Sequence, residues 1–318
     1  MSRGGERKIS RIFRPGRLLR SPAHPLIRTS AHLLACASLL SCARGINFTD
    51  IAGPRFEGRH AAPAPRATPA EIRVVTLNVK FGKQVDRAIE LLRDSDSLRG
   101  ADVIALQEVD DSGTARIAQA LGLDYVYFPA VLHAVTRRFF GPAILSRWPI
   151  DSAWKIVLPH LDALRRQQRT ATGALIRVGD RPIRVYSVHL EVQARISDME
   201  REDQVDAVVR DAATAAEPVI IAGDLNSYGV GAYLKRRGFR WLTESFGETI
   251  ALWGWDHLFV RGFGGHCVRS VGVERDGRGA SDHRALWAVL AVRKRSSAHL
   301  PVSFLRSLRL KNATSGSP

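Results

Sequence analysis

A long series of short apolar runs between residues 71 and 292 constrains the fold most. About ten of these runs have the length and the β-branched content of strands, and few helical stretches separate them. Gly179 to Pro182 joins two runs with a hairpin signal, so the sheets must be partly antiparallel. This pattern favours two packed sheets with helices on the outer faces over one doubly wound parallel sheet. The predicted strands cover 72–78, 103–109, 125–128, 143–146, 153–158, 171–178, 183–189, 219–222, 256–260, 266–273 and 285–292, and the predicted helices 85–99, 114–121, 194–213 and 232–237.

The positive charge of the chain is concentrated at its two ends. Residues 1–70 carry 12 basic and 3 acidic residues, and residues 291–318 carry 6 basic residues and no acidic one. Between them, 29 basic residues face 28 acidic ones. This distribution indicates attraction of the ends to a membrane surface or a polyanion, and it argues against a basic binding face on the folded part.

Residues 1–42 have the pattern of an export leader. Arginines and a lysine precede a twelve-residue stretch, Ala31 to Cys42, that is too short to cross a bilayer as a helix of about 20 residues. Its end, Leu39-Leu40-Ser41-Cys42, resembles the lipobox of bacterial lipoproteins, with Cys36 as a rival site. We therefore expect an exported protein, periplasmic or anchored to a membrane through lipidated Cys42. The alternative is a small apolar N-terminal helix on a cytoplasmic protein.

The remaining segments complete the predicted domain organisation. Residues 43–70 are rich in proline and alanine, which predicts a stiff, poorly ordered linker before a domain over 71–292. Residues 293–318 form a basic tail that we predict to be disordered. With Cys267 the one cysteine of the body, no disulfide framework is expected.

Polar residues fall at the ends of successive predicted strands or just after them. Strand ends on one edge of a sheet can converge on a shared crevice, where a rigid backbone supports chemistry. The residues placed in this way are Asn78, Glu108, His189, Asp224, Asn226, Asp256, Asp282 and His283.

These residue types suit metal-assisted hydrolysis of a phosphate ester. Asn78, Glu108 and Asp282 offer the oxygen ligands that Mg²⁺ prefers, and Mn²⁺ can take its place. Asp224 can accept a proton from an attacking water while the amide of Asn226 steers a phosphate oxygen. The catalytic histidines would be His189 and His283, with Asp256 orienting His283.

Seven segments in order resemble the endonuclease/exonuclease/phosphatase superfamily: NVKFG at 78–82, LQEVD at 106–110, GPAILSRWPI at 141–150, SVHLE at 187–191, GDLNS at 223–227, WDHLFV at 255–260 and SDH at 281–283. The resemblance implies a four-layer α/β sandwich of the deoxyribonuclease I type. It also implies that Glu108 is the principal metal ligand, supported by Asn78 and Asp282. Arg169 resembles a basic residue of the family at the start of a strand, which we assign to substrate binding.

The sequence therefore predicts a Mg²⁺-dependent phosphoester hydrolase, most simply a monomeric phosphodiesterase. Its substrate could be a nucleic acid, a phospholipid head group or a small phosphodiester, so a nuclease and a sphingomyelinase-like lipid phosphodiesterase stay open. The near-neutral body disfavours a nuclease. A catalytically silent scaffold of the same fold is the alternative to an enzyme, and a membrane surface is a further expected partner through the N-terminus.

Overall fold

The computed structural model describes residues 45–134 and 136–292, in which two β-sheets and four helices are found. The strands are β1 (Ile46–Asn47), β2 (Phe56–Gly58), β3 (Glu71–Asn78), β4 (Val103–Val109), β5 (Asp124–Tyr127), β6 (Val131–Leu132), β7 (Phe139–Ser146), β8 (Ile150–Val157), β9 (Thr170–Val178), β10 (Arg181–His189), β11 (Val219–Asp224), β12 (Arg240–Trp241), β13 (Asp256–Arg261), β14 (Val268–Val273) and β15 (Leu286–Ala291). The helices are α1 (Val85–Asp94), α2 (Asp111–Leu121), α3 (Asp198–Ala213) and α4 (Gly229–Arg236).

Both sheets are mixed. The larger sheet runs β1-β6-β7-β4-β3-β15-β14, with β5 beside β7 and β2 beside β5, and the smaller runs β12-β13-β11-β10-β9-β8. The parallel pairs are β3 with β4 and β10 with β11, and the other pairs are antiparallel. Parallel neighbours end at the same edge of their sheet, so the ends of β3 and β4 lie together, as do those of β10 and β11.

Three apolar clusters separate four layers. One lies between the two sheets and includes Ile144, Val185 and Leu258. A second cluster lies where α1 and α2 pack on the larger sheet, and a third lies where α3 and α4 pack on the smaller sheet. The predicted four-layer α/β sandwich, with two packed mixed sheets and helices outside, is confirmed.

The helix boundaries differ from the predicted ones because of local capping. Helix α1 ends at Asp94 rather than at residue 99, since Ser95 already has an extended backbone. Helix α2 begins three residues early because the Asp110 carboxylate accepts a hydrogen bond from the Gly113 N–H at 2.7 Å. Helix α3 begins at Asp198 rather than at residue 194, behind a capping box formed by Ser197 and Glu200.

Residues 45–70 do not form the predicted linker. They contribute β1 and β2 to the larger sheet, and Phe56 packs against Tyr127 and Phe139 with ring centroids 6.0 and 5.4 Å apart. The buried Lys155 ammonium donates to the carbonyl oxygens of Phe48, at 2.9 Å, and Gly53, at 2.6 Å. The linker prediction from the proline-rich composition is therefore wrong for these residues, because a few aromatic contacts suffice to hold the segment on the sheet.

The predicted leader, residues 1–42, and the predicted tail, residues 293–318, lie outside the described residues. Within the part of the chain that the structure describes, no helix combines the length and the hydropathy needed to cross a membrane.

Candidate active site

Four strand ends meet at one edge of the sandwich. Asn78 ends β3, His189 ends β10, Asp224 ends β11 and Asp256 begins β13. In the smaller sheet Asp224 is paired in register with His189 on one side and with Asp256 on the other. The link between the sheets is direct, because the Asn78 amide Nδ2 donates to Asp224 Oδ2 at 3.0 Å. The structure thus brings four of the predicted residues into one buried cluster.

Gly223 makes the approach of β11 to β10 possible. A Cβ at this position would lie 1.9 Å from the Val188 carbonyl oxygen, and the backbone has φ +152°. No residue with a side chain fits so close to a neighbouring strand. The small residue before Asp224 in the sequence is therefore a packing requirement of the site.

A β-bulge in β4 directs Glu108 into the same centre. The pairing of β4 with β7 shifts between Leu106 and Val109, and Glu108 has the left-handed φ of +57°. A bulge re-aims a side chain that strict alternation would send elsewhere, and a non-glycine residue in this conformation costs on the order of 1–3 kcal/mol. The Glu108 carboxylate accepts from the Phe81 N–H at 3.2 Å and lies 3.9 Å from His189 Nε2.

Burial controls the charge of both acids at the centre. It raises the pKa of Glu108, against the opposing effects of the Arg169 guanidinium and of a hydrogen bond with Asn78. Burial and the nearby Asp256 carboxylate raise the pKa of Asp224 to about 7, although His283 and the Asn226 N–H oppose the shift. A carboxylate with a pKa near neutrality is suited to accept a proton.

His283 forms a chain with two aspartates. Its Nδ1 lies 2.8 Å from Asp256 Oδ2, and its Nε2 lies 3.8 Å from Asp224 Oδ2. Burial opposes protonation of this ring, but Asp256 and Asp224 outweigh it and raise the pKa of His283 to about 10. Ligand atoms of these three residues lie within 4.8 Å of one another, as in a metal site. Because His283 Nδ1 is engaged by Asp256 at 2.8 Å, we interpret the group as an acid–histidine–acid chain.

The imidazole of His189 contacts Arg169. Burial, followed by the charges of Arg169 and His283, lowers the pKa of His189 well below its usual value, so the ring is neutral. Its Nε2 lies 3.5 Å from Asp224 Oδ2. Arg169 Nη1 lies 3.1 Å from His189 Nδ1, and Phe140 packs 5.8 Å from the imidazole, centroid to centroid.

Arg169, assigned to substrate binding by resemblance, contacts protein groups with each of its nitrogens. Nε and Nη2 form a two-pronged pair with the buried Glu191, at 2.9 and 3.1 Å, and Nη1 reaches His189. The structure thus places Arg169 in the site as a support for His189, while a contact with substrate stays a prediction.

Asn226 lies beneath Asp224 in a left-handed conformation, with φ +48°. Its N–H donates to Asp224 Oδ1 at 2.9 Å, and its side-chain amide donates to the Leu190 carbonyl oxygen at 3.0 Å. These bonds orient the Asp224 carboxylate. The contact of Asn226 with a phosphate oxygen stays a prediction.

Asp282 lies at the solvent side of the centre. Its side chain is 40% exposed, and its Oδ2 lies 2.8 Å from the Lys80 ammonium. Partial burial opposes ionisation, but Lys80 outweighs it and lowers the pKa of Asp282. The sequence analysis did not single out Lys80, although its position two residues after Asn78 was a usable signal.

Comparisons with known proteins find a matching family profile and solved structures of similar fold. A sequence profile of the Endonuclease/Exonuclease/phosphatase family matches residues 75–283. A solved endonuclease/exonuclease/phosphatase from Beutenbergia cavernae is 19% identical, has a TM-score of 0.56 and aligns over 70% of this chain and 72% of its own. One from Bacteroides vulgatus is 15% identical, with a TM-score of 0.57 over 71% of this chain and 100% of its own.

A third solved structure, D. rerio TDP2 complexed with single strand DNA product, is 16% identical, with a TM-score of 0.55 over 70% of this chain and 100% of its own. At such identities the likeness shows a shared fold. No curated protein matches the sequence.

Proposed function

This chain belongs to the endonuclease/exonuclease/phosphatase family, and from that premise we propose that it is a metal-dependent phosphodiesterase. The family supports hydrolysis of phosphoester bonds in general. The observation that carries the proposal is the position of Asp224, whose Oδ2 lies 3.0 Å from Asn78 Nδ2, 3.5 Å from His189 Nε2 and 3.8 Å from His283 Nε2. Three strand-end or loop residues that are distant in sequence therefore surround one potential base.

The residues beside Glu108 fit a divalent metal. The family is typically dependent on a divalent metal, and Glu108 and Asp282 present carboxylate oxygens, which are the donors that Mg²⁺ and Mn²⁺ prefer. The predicted ligand Asn78 turns its amide nitrogen to Asp224, while its amide oxygen accepts from the Lys80 N–H at 2.9 Å, so it supports the site. Burial raises the pKa of Glu108, because the charges around it do not fully compensate its carboxylate. A bound cation would offset this cost. When bound, the metal would supply positive charge to the phosphate oxygens.

The remaining steps, proton transfer and stabilisation of charge on the phosphate, are assigned to residues of the chain. Asp224, with a pKa of about 7, accepts the proton of the attacking water. His283, with a pKa of about 10, is charged at neutral pH and stabilises negative charge that develops on the phosphate, while Asp256 holds its ring. Neutral His189 acts as a hydrogen-bond partner of the phosphate, fixed by Arg169 and Phe140. Asn226 keeps Asp224 in position.

Hydrolysis of bis(p-nitrophenyl) phosphate with Mg²⁺, with Mn²⁺ and with a chelator tests this proposal. Asp224→Asn and Glu108→Gln should each lower kcat by about 10²-fold or more. The matched control is Asp206→Asn, because Asp206 is a carboxylate that bonds Tyr233 on the outer helical layer. We expect the control to stay within about two-fold of the wild type. Equal rates for the wild type and Asp224→Asn would contradict the assigned base.

A lipid phosphodiesterase is the second candidate, and one observation favours it. Next to His283, a tight turn presents Leu252 and Trp253 with 79% and 55% of their surface exposed. Ile250 bridges to His283, and Trp253 stacks on Trp255 with centroids 5.8 Å apart, so the apolar tip is attached to the catalytic centre. Exposed aromatic and aliphatic side chains beside a site are typical of a surface that meets lipid.

A substrate panel separates the candidates. Sphingomyelin vesicles, plasmid DNA and a single-stranded oligonucleotide are compared with the soluble diester. Leu252→Ser is expected to slow vesicle hydrolysis about 10-fold and to leave the soluble diester unchanged if lipid is the substrate. The alternative is a nuclease, which the TDP2 structure with its single strand DNA product suggests. In that case Leu252→Ser should leave the hydrolysis of DNA unchanged. No turnover of any member would favour a silent scaffold.

The cellular location is a separate proposal. We propose export with lipidation at Cys42, from the leader pattern in residues 1–42. Mass spectrometry of the N-terminal peptide from the purified protein tests it. A peptide that begins at a diacylated Cys42 supports the proposal, and one that begins at Met1 contradicts it.

A further inference from the structure

A cavity of about 340 Å³ adjoins the Asp282 side of the catalytic centre. Lys80, Lys83 and Gln84 line one wall, and residues 279–282 line the other. The turn that builds the first wall is unusual, because Lys80, Phe81 and Gly82 have successive φ values of 47°, 57° and 57°. Non-glycine residues adopt this left-handed conformation at a cost, and such costs cluster at ligand-binding positions.

The cavity has an excess of positive charge. Lys80 is paired with Asp282, but Lys83 contacts no carboxylate within 4.0 Å in the part of the chain that the structure describes. Its ammonium lies 5.5 Å from the centroid of the Phe81 ring. Arg87 lies outside the cavity lining, where its Nη1 donates to the Arg278 carbonyl oxygen at 3.2 Å. Two lysines therefore line the cavity beside one carboxylate.

The position of the cavity ties it to the catalytic reaction. Lys80 is two residues from Asn78, and Asp282 directly precedes His283. A group bound in this cavity would thus belong to the same substrate molecule as the phosphate under attack.

The size of the cavity limits what that group can be. A volume of 340 Å³ is near the lower end of the range for small-molecule sites, about 300–1,000 Å³. It admits one anionic group with the sugar or polyol that carries it, and it excludes a nucleic-acid duplex. Ammonium and guanidinium groups are the side chains that recognise phosphate oxygens.

We propose that this pocket binds a second phosphate, a phosphomonoester on the substrate beside the scissile phosphodiester, with Lys83 as the specificity-determining residue. The proposal rests on the proposed function and narrows it to diesters that carry an additional terminal phosphate. A nucleotide and an inositol phosphate head group both present this chemistry.

Two matched substrate pairs test the proposal. One is thymidylyl-(3′,5′)-thymidine with and without a 5′-terminal phosphate, and the other is glycerophosphoinositol with and without a 4-phosphate. The wild type should show a KM about 10-fold or more lower for the phosphorylated member of at least one pair, as expected for charge-assisted hydrogen bonds. The pair that shows the difference identifies the source of the phosphate.

Lys83→Ala should remove that preference and leave kcat and KM for the unphosphorylated members unchanged, and Lys83→Arg should retain it. Arg59→Ala is the matched control, because Arg59 is a basic residue that lines a separate cavity with Tyr125 and Ile150. Equal KM values for both members of both pairs in the wild type would overturn the proposal. An equal increase in KM for both members in Lys83→Ala would overturn it as well.

A binding measurement separates this proposal from the proposed function. Calorimetry on Asp224→Asn compares the two thymidine dinucleotides and the two inositol compounds without turnover. If the wild type hydrolyses neither bis(p-nitrophenyl) phosphate nor any of these four diesters, the proposed function fails, whereas a Lys83-dependent preference for a phosphorylated member in binding still supports the pocket. Absence of that preference in binding overturns the pocket, even where a diester is hydrolysed.

Discussion

Burial of His257 should make the folded state sensitive to acid. The ring lies beside Trp241, whose indole Nε1 donates to His257 Nδ1 at 3.3 Å, and its Nε2 lies 3.1 Å from the Ser227 carbonyl oxygen. Because Nδ1 accepts and Nε2 donates, both contacts require a neutral imidazole. Protonation would put a charge among Trp241 and Phe259 and would cost the bond to Nδ1.

The size of the effect follows from the pKa of His257. Burial lowers it from the usual 6.5 to about 4, although the Asp256 carboxylate acts in the opposite direction. Below pH 6.5 the unfolded chain binds a proton at this position that the folded chain does not bind. The free energy of unfolding therefore falls as the pH drops from 6.5 towards 4, by about 3 kcal/mol from this residue.

Urea unfolding at pH 7.5 and pH 4.0 measures this contribution as a difference between variants. The change in the wild type must be compared with that in a variant that lacks His257, because other groups titrate in the same pH interval. Burial raises the pKa of Asp224 to about 7, so protonation of Asp224 favours the folded state there. His257→Phe should be less stable than the wild type at pH 7.5, since the Ser227 carbonyl and the Trp241 indole lose their partner.

The wild type should lose about 3 kcal/mol more than His257→Phe between the two pH values. His266→Phe is the matched control, because His266 is exposed, and it should follow the wild type. Equal losses in the wild type and His257→Phe would refute the reasoning.

Three further changes have defined outcomes. Arg169→Lys removes the two-pronged contact with the buried Glu191 and should lower kcat by about 10-fold or more, with a loss of about 1–3 kcal/mol in stability, and an unchanged kcat would show that Arg169 does not position His189. Gly223→Ala puts a methyl group 1.9 Å from the Val188 carbonyl oxygen and should cost about 3 kcal/mol in urea unfolding; a stable, active variant would contradict the required approach. Ser197→Ala breaks the capping box of α3 and should cost about 1 kcal/mol with normal activity, whereas no loss would mean that the cap contributes nothing.

The strand pattern predicts the fold, and it predicts that the candidate residues converge. Asn78, His189 and Asp224 each end a run of apolar residues. The rule that parallel strands end at one edge brings His189 and Asp224 together, and packing of the two sheets adds Asn78. The sandwich follows in the same way from many short strands with few helices. Periodicity and chain order are therefore sufficient to predict the sandwich and the strand-end positions of these residues.

Other features depend on contacts that no local pattern encodes. The pairing of Arg169 with Glu191 and of Lys80 with Asp282 forms only after distant segments fold. Strands β1 and β2 are two and three residues long, too short for a period to be recognised. The protonation of His283 depends equally on the summed effects of burial and two carboxylates, which a sequence does not specify.

Broadening of histidine ring signals by Mn²⁺ tests most directly whether the converging residues form a single metal-dependent phosphate centre. In the histidine-labelled full chain, one equivalent of Mn²⁺ should broaden the ring resonances of His189 and His283, and the exposed His60 and His266 should stay sharp. Glu108→Gln should abolish the broadening. Uniform broadening of all histidines, or equal broadening in Glu108→Gln, would contradict a metal held at this centre.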